Sequence, residues 1–425
     1  MRAPACPSYH PFVIVQTWKQ HAKAFEKSGQ SVIIIVQTKA MESNRRKFLK
    51  QSLTTAAGLG ALSGNLYAGD LFSRRRPVTY HEKGRPVKIG KSLIRFAAIG
   101  LNHGHIYSQV ETMIKSGGEL VSFFAKEPEL IAAFRKRYPD VKLARSEAEI
   151  LEDKSIHLVV SASIPVERAP LGIRVMEHGK DFMADKPGII TLKQLEEVRR
   201  AQKATGRIYS ILYGERMQSR ASIKAGELIR QGAIGQVVQT MGTGPHRMNP
   251  KARPAWFFDK EAYGGIICDI GSHQCEQFLH FTNSTSAQVV CSQVGNINHK
   301  EYPGIEDFGD AMVRGNGGSG YFRIDWFTPE GLGTWGDGRL TILGTDGYME
   351  LRKNIDINGR EGGNHLFVVD QKQTRYIDCT EVELPYGPAF VQDILNRTET
   401  AMTQEHCFLA TELALRAQQQ ASVIG

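Results

Sequence analysis

Ile94-Arg95-Phe96-Ala97-Ala98-Ile99-Gly100-Leu101-Asn102-His103-Gly104-His105 decides how this 425-residue chain is read. An apolar run ends at a glycine, and apolar residues then recur at helical spacing, at Ile106, Val110, Met113 and Ile114. That pattern predicts a buried parallel strand turning tightly into a helix. Such a turn aims backbone N–H groups and a helix N-terminus at whatever lies above the strand, which favours phosphate. A dinucleotide-binding turn wants glycine at three places: the turn itself, the closest approach to pyrophosphate, and the helix–sheet contact. Gly100 holds the first. Asn102 and His105 hold the other two, and Gly104 is displaced by one. Asn tolerates left-handed backbone better than most residues, so Asn102 is a mild departure. The bland alternative is a plain strand–turn–helix of an α/β sheet.

Beyond the turn, strands and helices alternate. Strands are expected at Leu120–Phe124, Val141–Leu143, His157–Ser161, Asp181–Ala184 and Ile208–Leu212. The intervening helices carry their own punctuation, with capping boxes at Ser146/Glu149 and Thr191/Gln194 and glycine stops at Gly179 and Gly206. This alternation predicts a doubly wound parallel sheet over residues 93–213. The pattern then changes. An amphipathic helix at Ser219–Gln231, a strand at Val237–Gly242, a Pro- and Arg-rich loop to Trp256 and a helix at Asp269–His280 come first. From Ala287 to Asp378 strands are joined by turns at Asn316-Gly317-Gly318, Asp346-Gly347 and Asn358-Gly359, and a helix at Cys407–Ala421 closes the chain. Residues 214–425 therefore read as a second, α+β domain with a largely antiparallel sheet.

Upstream, residues 69–92 read as a linker or arm. Residues 1–68 read as a leader. Ser43-Asn44-Arg45-Arg46-Lys47-Phe48-Leu49-Lys50 resembles a twin-arginine export signal, followed by a mild apolar segment from Leu53 to Leu62 and small residues near Ala68. Met41 precedes it directly and is the expected true start. That segment is too short and too mild to span a bilayer stably. The alternative is a basic, disordered tail. The leader also accounts for the net charge of +9: residues 1–68 hold nine Lys/Arg against two Asp/Glu, and the remainder 44 against 42. No nucleic-acid footprint follows. Cys6 lies in the leader, and Cys268, Cys275, Cys291, Cys379 and Cys407 beyond it. None forms a CxxC pair, so neither a disulfide framework nor a zinc site is implied.

Two stretches carry groups suited to chemistry. Asp185-Lys186-Pro187 ends the fifth strand, and ligands of such sheets bind at the carboxyl ends of strands. The Lys186 ammonium there is suited to polarising a hydroxyl or carbonyl oxygen; a surface lysine before a turn is the ordinary alternative. Gly264-Gly265-Ile266-Ile267-Cys268-Asp269-Ile270-Gly271-Ser272-His273 places Asp269 and His273 at i and i+4, one face of a helix. A carboxylate beside an imidazole orients it and raises its basicity, which suits a proton acceptor for alcohol oxidation. The alternatives are a helix cap for Asp269 and a core histidine for His273. A metal reading of His273, Cys275 and Glu276 lacks ligand spacing, so no metal is expected.

Gly100 at its turn, Lys-Pro after the fifth strand, and Gly-Gly-x-x-x-Asp-x-Gly-x-His together resemble the Gfo/Idh/MocA oxidoreductases, the group of glucose–fructose oxidoreductase and inositol dehydrogenase. The resemblance covers roughly residues 93–425. It implies a Rossmann domain holding NAD or NADP, and a C-terminal domain for substrate and oligomerisation. It matches the family's active-site lysine with Lys186, and its aspartate and histidine with Asp269 and His273. The family's twin-arginine members fit a periplasmic protein exported with its nucleotide. The cofactor is expected against Gly100, Leu101, Asn102, His103, Gly104, His105, Lys126 and Lys186. Ala125 stands where an acid commonly holds the ribose, and Lys126 is suited to a 2′-phosphate, which tilts the reading towards NADP; Glu127 is the ribose partner if the register slips. Arg168 stands where the family often has a histidine, either on phosphate or on a solvated helix face. His246, Arg247 and Trp256 are the expected substrate contacts, with a core role the alternative for Trp256.

The expected function is therefore hydride transfer between a nicotinamide cofactor and a sugar, polyol or derivative, with His273 moving the proton, Asp269 orienting it and Lys186 polarising the oxygen. Partners are a small carbohydrate, the twin-arginine machinery and further copies of the chain, since an antiparallel sheet can leave one face uncovered. Two alternatives stand beside it: a glycosidase working by transient oxidation and elimination, and a non-enzymatic nucleotide- or sugar-binding protein on the same fold.

Overall fold

The computed structural model describes residues 92–425. The leader, its twin-arginine stretch, Met41 and nearly all of the arm at 69–92 lie outside the described residues. Everything described falls within one compact unit.

The first sheet has six parallel strands: β1 (Ile94–Ile99), β2 (Gly118–Phe124), β3 (Lys142–Leu143), β4 (Leu158–Ser161), β5 (Asp181–Asp185) and β6 (Tyr209–Leu212). Their order is β3-β2-β1-β4-β5-β6. Helices α1 (His105–Lys115), α2 (Pro128–Arg137), α3 (Glu147–Glu152), α4 (Pro165–Glu177) and α5 (Leu192–Thr205) make the crossovers. Every residue of β4, β5 and β6 is buried, as expected of strands covered on both faces. The predicted caps form: Ser146 accepts from the Glu149 N–H, and Thr191 from the Gln194 N–H. The strand order reverses between β1 and β4, so a crevice opens above their carboxyl ends, the place where such sheets bind ligands.

After α6 (Gly214–Met217) and α7 (Arg220–Arg230) the chain enters a nine-stranded sheet. It contains β7 (Val237–Pro245), β8 (Ala287–Gly295), β9 (Phe308–Gly315), β10 (Gly318–Asp325), β11 (Arg339–Gly344), β12 (Gly347–Arg352), β13 (His365–Asp370), β14 (Thr374–Asp378) and β15 (Ser422–Ile424). Their order is β14-β13-β12-β11-β7-β10-β9-β8-β15, antiparallel except at β7/β10 and β8/β15. Alternation sorts each strand into two faces. Gly309, Ala311 and Val313 of β9 turn inward, while Met312 is 42% exposed. Across the outward face Met241 pairs with Tyr321, Tyr321 with Met312 and Met312 with Cys291.

Helices α8 (Lys260–Tyr263), α9 (Ser272–Thr282), α10 (Tyr386–Asn396) and α11 (Gln404–Gln419) complete the chain. Three local expectations are corrected. The helix read at Asp269–His280 is two pieces, a π-helical turn at Ile267–Gly271 followed by α9. Asn358-Gly359 is not a tight hairpin: β12 and β13 are joined by residues 353–364, organised by the Asp356 carboxylate, which accepts from Arg352, Arg360 and the Asn358 N–H. The closing helix starts earlier, at Gln404, and α10, preceded by Pro385, went unread.

The edge of β6 is capped by the second domain. Gln404 of α11 accepts from the Tyr209 N–H at 2.8 Å and donates to the Tyr209 carbonyl at 3.2 Å, continuing the ladder with a side chain. Tyr213–Thr411 and Ser210–Tyr386 hydroxyl pairs, at 3.0 and 2.7 Å, add to the seam. This seam holds α9 and the π-helical turn over the crevice. No helix among the described residues is long and apolar enough to cross a membrane.

Candidate active site

Gly100 ends β1 with φ +78°, a left-handed backbone that glycine adopts without strain. A Cβ there would lie 2.4 Å from Ser163 Cβ, so glycine is also needed for close packing against the β4–α4 loop. The Gly100 N–H donates to the Phe124 carbonyl and the His103 N–H to the Ala162 carbonyl. Helix α1 starts with no side-chain cap and no acid in its first turn. Among the described residues the N–H groups of Asn102, Gly104 and His105 meet no acceptor, and the space beside Gly104 is open. Free donors at a positive helix end fit a dinucleotide's phosphates. Asn102, in the second glycine place, donates its Nδ2 to Glu127 at 2.8 Å. The other Glu127 oxygen accepts from the Lys126 N–H, and the Lys126 side chain is exposed. Leu101 is buried and props the turn from below.

Asp185, at the end of β5, is the hub of the crevice. Its Oδ1 is 2.9 Å from His105 Nδ1 and accepts from the Lys186 N–H; its Oδ2 is 3.2 Å from the Arg168 guanidinium. His103 Nδ1 lies 2.9 Å from Oδ2 but off the line of a hydrogen bond. Burial would raise this carboxyl; the charges of His105 and Arg168 outweigh it and hold the group well below the ordinary carboxylate range. Arg168 does not sit on a solvated helix face. It is 1% exposed and donates to the carbonyls of Ser163, Asp185, Lys186 and Pro187. It therefore clamps the turn that carries Lys186. His103, His105 and Asp185 are also the one grouping among the described residues whose ligand atoms converge as a metal site requires, within 4.8 Å; Arg168 already supplies the cation there.

Lys186 and His273 come from different domains and line one cavity of about 540 Å³ together with Asp269, His246, Trp256 and Trp335. The Lys186 ammonium donates to Asp269 Oδ1 at 2.6 Å. Asp269 thus partners the lysine and not His273, whose Nδ1 is buried without a partner among the described residues. The cause is the π-helical turn: its i→i+5 bonding breaks the α-helical spacing that would have stacked residue 273 over 269. Burial raises the Asp269 carboxyl, but Lys186 more than compensates and leaves it below its ordinary value. Burial lowers the His273 imidazole to about 3, against the opposing pull of the Glu215 carboxylate. It lowers His246 and His103 to about 4. All three are neutral near pH 7.

Arg247 is not brought to the cavity; its guanidinium is spent on the carbonyls of Pro329 and Leu332. Four charged lining residues had no role assigned from the sequence. Asp185 was visible as a strand end, and Arg253 as part of an Arg-rich loop. Glu215 and Lys353, joined at 2.8 Å across 138 residues of sequence, left no local signal. Gln274 and Gln277 donate to the same Glu215 oxygen, and Lys353 also donates to Gln277.

Residues 94–213 match the family profile described as "Oxidoreductase family, NAD-binding Rossmann fold", and residues 223–350 match the GFO/IDH/MocA C-terminal domain. The chain belongs to the Gfo/Idh/MocA family. A crystal structure from Erwinia carotovora atroseptica, described as an oxidoreductase, is 48% identical and covers 78% of this chain and 100% of its own, with a TM-score of 0.77. Levoglucosan dehydrogenase of Pseudarthrobacter phenanthrenivorans is 24% identical over 251 residues, 55% of this chain and 61% of its own length. The NADP-dependent scyllo-inositol 2-dehydrogenase of Bacillus subtilis is 24% identical over 189 residues, 44% of this chain and 52% of its own. The first three curated relatives are thus matched over only 40, 52 and 61% of their lengths. As a Gfo/Idh/MocA protein, this chain has the NAD(P)-binding Rossmann domain and the mostly antiparallel partner domain expected from its sequence.

Proposed function

We propose that this chain is an NAD(P)-dependent dehydrogenase or reductase of a sugar or polyol, working at the Lys186–Asp269 pair. The observation that carries the reading is the 2.6 Å contact between these side chains, one from each domain, at the crevice where β5 ends. NAD(P), when bound, supplies the hydride chemistry. The chain holds it through Gly100, Asn102, Gly104 and His105 at the α1 turn. In reduction the Lys186 ammonium polarises the substrate oxygen and gives it a proton, leaving the amine; oxidation runs the same transfer in reverse, from the hydroxyl to the amine. Asp269 keeps that ammonium in place. His273, neutral because it is buried, hydrogen-bonds the substrate and is too weak a base to take the proton outright. The test is direct. Protein purified without added nucleotide and then denatured should release NAD or NADP, and a panel including scyllo-inositol and levoglucosan should contain a substrate. Gly100→Ala should release none, because its Cβ collides with Ser163. A wild type that neither carries nor binds either nucleotide would sink the reading.

The histidines set a pH dependence of stability. Their folded-state values, about 3 for His273 and about 4 for His103 and His246, lie below the ordinary 6.5. Below about pH 6.5 the unfolded chain therefore binds protons that the folded chain refuses, and stability falls with the pH until about 4. Glu215, held at about 2, extends the loss below pH 4.5. Urea unfolding between pH 7.5 and 5 should show a declining free energy, with the decline reduced in His273→Asn. A flat profile would contradict the buried, neutral imidazoles.

The same proposal includes export by the twin-arginine route to the periplasm, supported by Arg45-Arg46 and the apolar segment after them. Arg45→Lys/Arg46→Lys should leave the precursor in the cytoplasm; unchanged delivery counts against it. It also includes assembly of copies through the uncovered sheet face around Met241 and Met312.

A further inference from the structure

We infer that Arg253 is an anion-recognising corner of the cavity and that the substrate is a carboxylated sugar or polyol, such as a uronate or an aldonate, rather than a neutral one. This rests on the cavity being the substrate site proposed above. Seven charged side chains line it: Arg168, Lys186, Arg253, Lys353, Asp185, Glu215 and Asp269. Six pair off, Arg168 with Asp185 at 3.2 Å, Lys186 with Asp269 at 2.6 Å and Lys353 with Glu215 at 2.8 Å. Arg253 is left over. Among the described residues no carboxylate lies within ion-pair distance of it. Asp269, the carboxylate whose charge it feels, is already held by Lys186.

The guanidinium is also held ready. Its Nε donates to the Met248 carbonyl at 3.0 Å and its Nη2 to the Arg247 carbonyl at 3.2 Å. Its carbon lies 4.5 Å from the Phe257 ring centre and 5.0 Å from that of Trp326. Two backbone acceptors and two aromatic rings fix its plane, and among the described residues Nη1 has no protein acceptor. A planar cation with unused donors matches a carboxylate in two-point geometry, at little ordering cost. Burial in this corner makes the unpaired charge costly, and an anionic ligand removes that cost.

The test compares three pairs of compounds on the NAD(P)-loaded protein by titration calorimetry: D-glucuronate with D-glucose, D-galacturonate with D-galactose, and D-gluconate with D-glucitol. In at least one pair the acid should bind about tenfold to a hundredfold more tightly, the range expected of charge-assisted hydrogen bonds. Arg253→Gln should abolish that difference and leave nucleotide affinity unchanged. Arg253→Lys, which keeps the charge without the fork, should retain part of it and guards against a folding defect. If no pair favours the acid, or the preference survives in Arg253→Gln, the inference is overturned. Tighter binding of glucose 6-phosphate than of any of these acids would overturn the choice of carboxylate. Nucleotide binding is read separately, so a failure of the dehydrogenase reading shows as its absence in the wild type, independently of the acid preference.

Discussion

Lys186→Met should lower kcat by on the order of 10²-fold or more, on whichever sugar or polyol the wild type turns over, as expected for loss of an acid–base or oxyanion-stabilising group. The nucleotide dissociation constant should stay within about threefold, because the ammonium points at Asp269 in the cavity and not at the α1 turn. The variant strands a carboxylate that is only 14% exposed, which itself threatens the site. Lys186→Met/Asp269→Asn removes that complication. If the double variant recovers wild-type kcat, the lysine only neutralises Asp269 and the proposed chemistry fails. If both variants stay slow while binding nucleotide, Lys186 acts on the substrate oxygen.

Arg168→Leu should cost about 3–5 kcal/mol of folding free energy, the range for removing one partner of a buried ion pair. Arg168 and Asp185 are 1% and 2% exposed in their side chains, so water does not replace the lost guanidinium. The carbonyls of Ser163, Lys186 and Pro187 lose their donor at the same time. Urea unfolding gives the number. Arg168→Leu/Asp185→Leu should recover part of the loss, because the second change removes the stranded charge. A loss below about 1 kcal/mol for the single variant would mean that solvent enters the crevice and that the clamp is not needed.

The places where sequence and structure agree share one property. The β1 turn, the Lys186 strand end and the caps at Ser146 and Thr191 are read within about ten residues. In each, apolar periodicity or a side chain's reach to its own backbone decides the conformation. The disagreements are also of one kind. Asp269 and His273 have the right spacing for an α-helix, and one π-helical turn, packed between the domains, separates them. Arg168 looks like any helix arginine until the β5 turn folds over it. Arg247 and Arg253 sit six residues apart in one loop, and only packing sends the first to Pro329 and the second to the cavity.

Local chemistry along the chain was therefore enough for the two sheet types, the glycine turn after β1 and the placing of Lys186 at a strand end, because strand and helix periods and helix-end donors are properties of neighbouring residues. The tertiary structure alone decided which carboxylate each cation meets. Lys186 meets Asp269 across 83 residues of sequence, Lys353 meets Glu215 across 138, and among the described residues Arg253 meets none. A charge has no period along a sequence. Its partner is chosen by where two domains close on one another, and at close range in a buried cavity that choice outweighs any local preference.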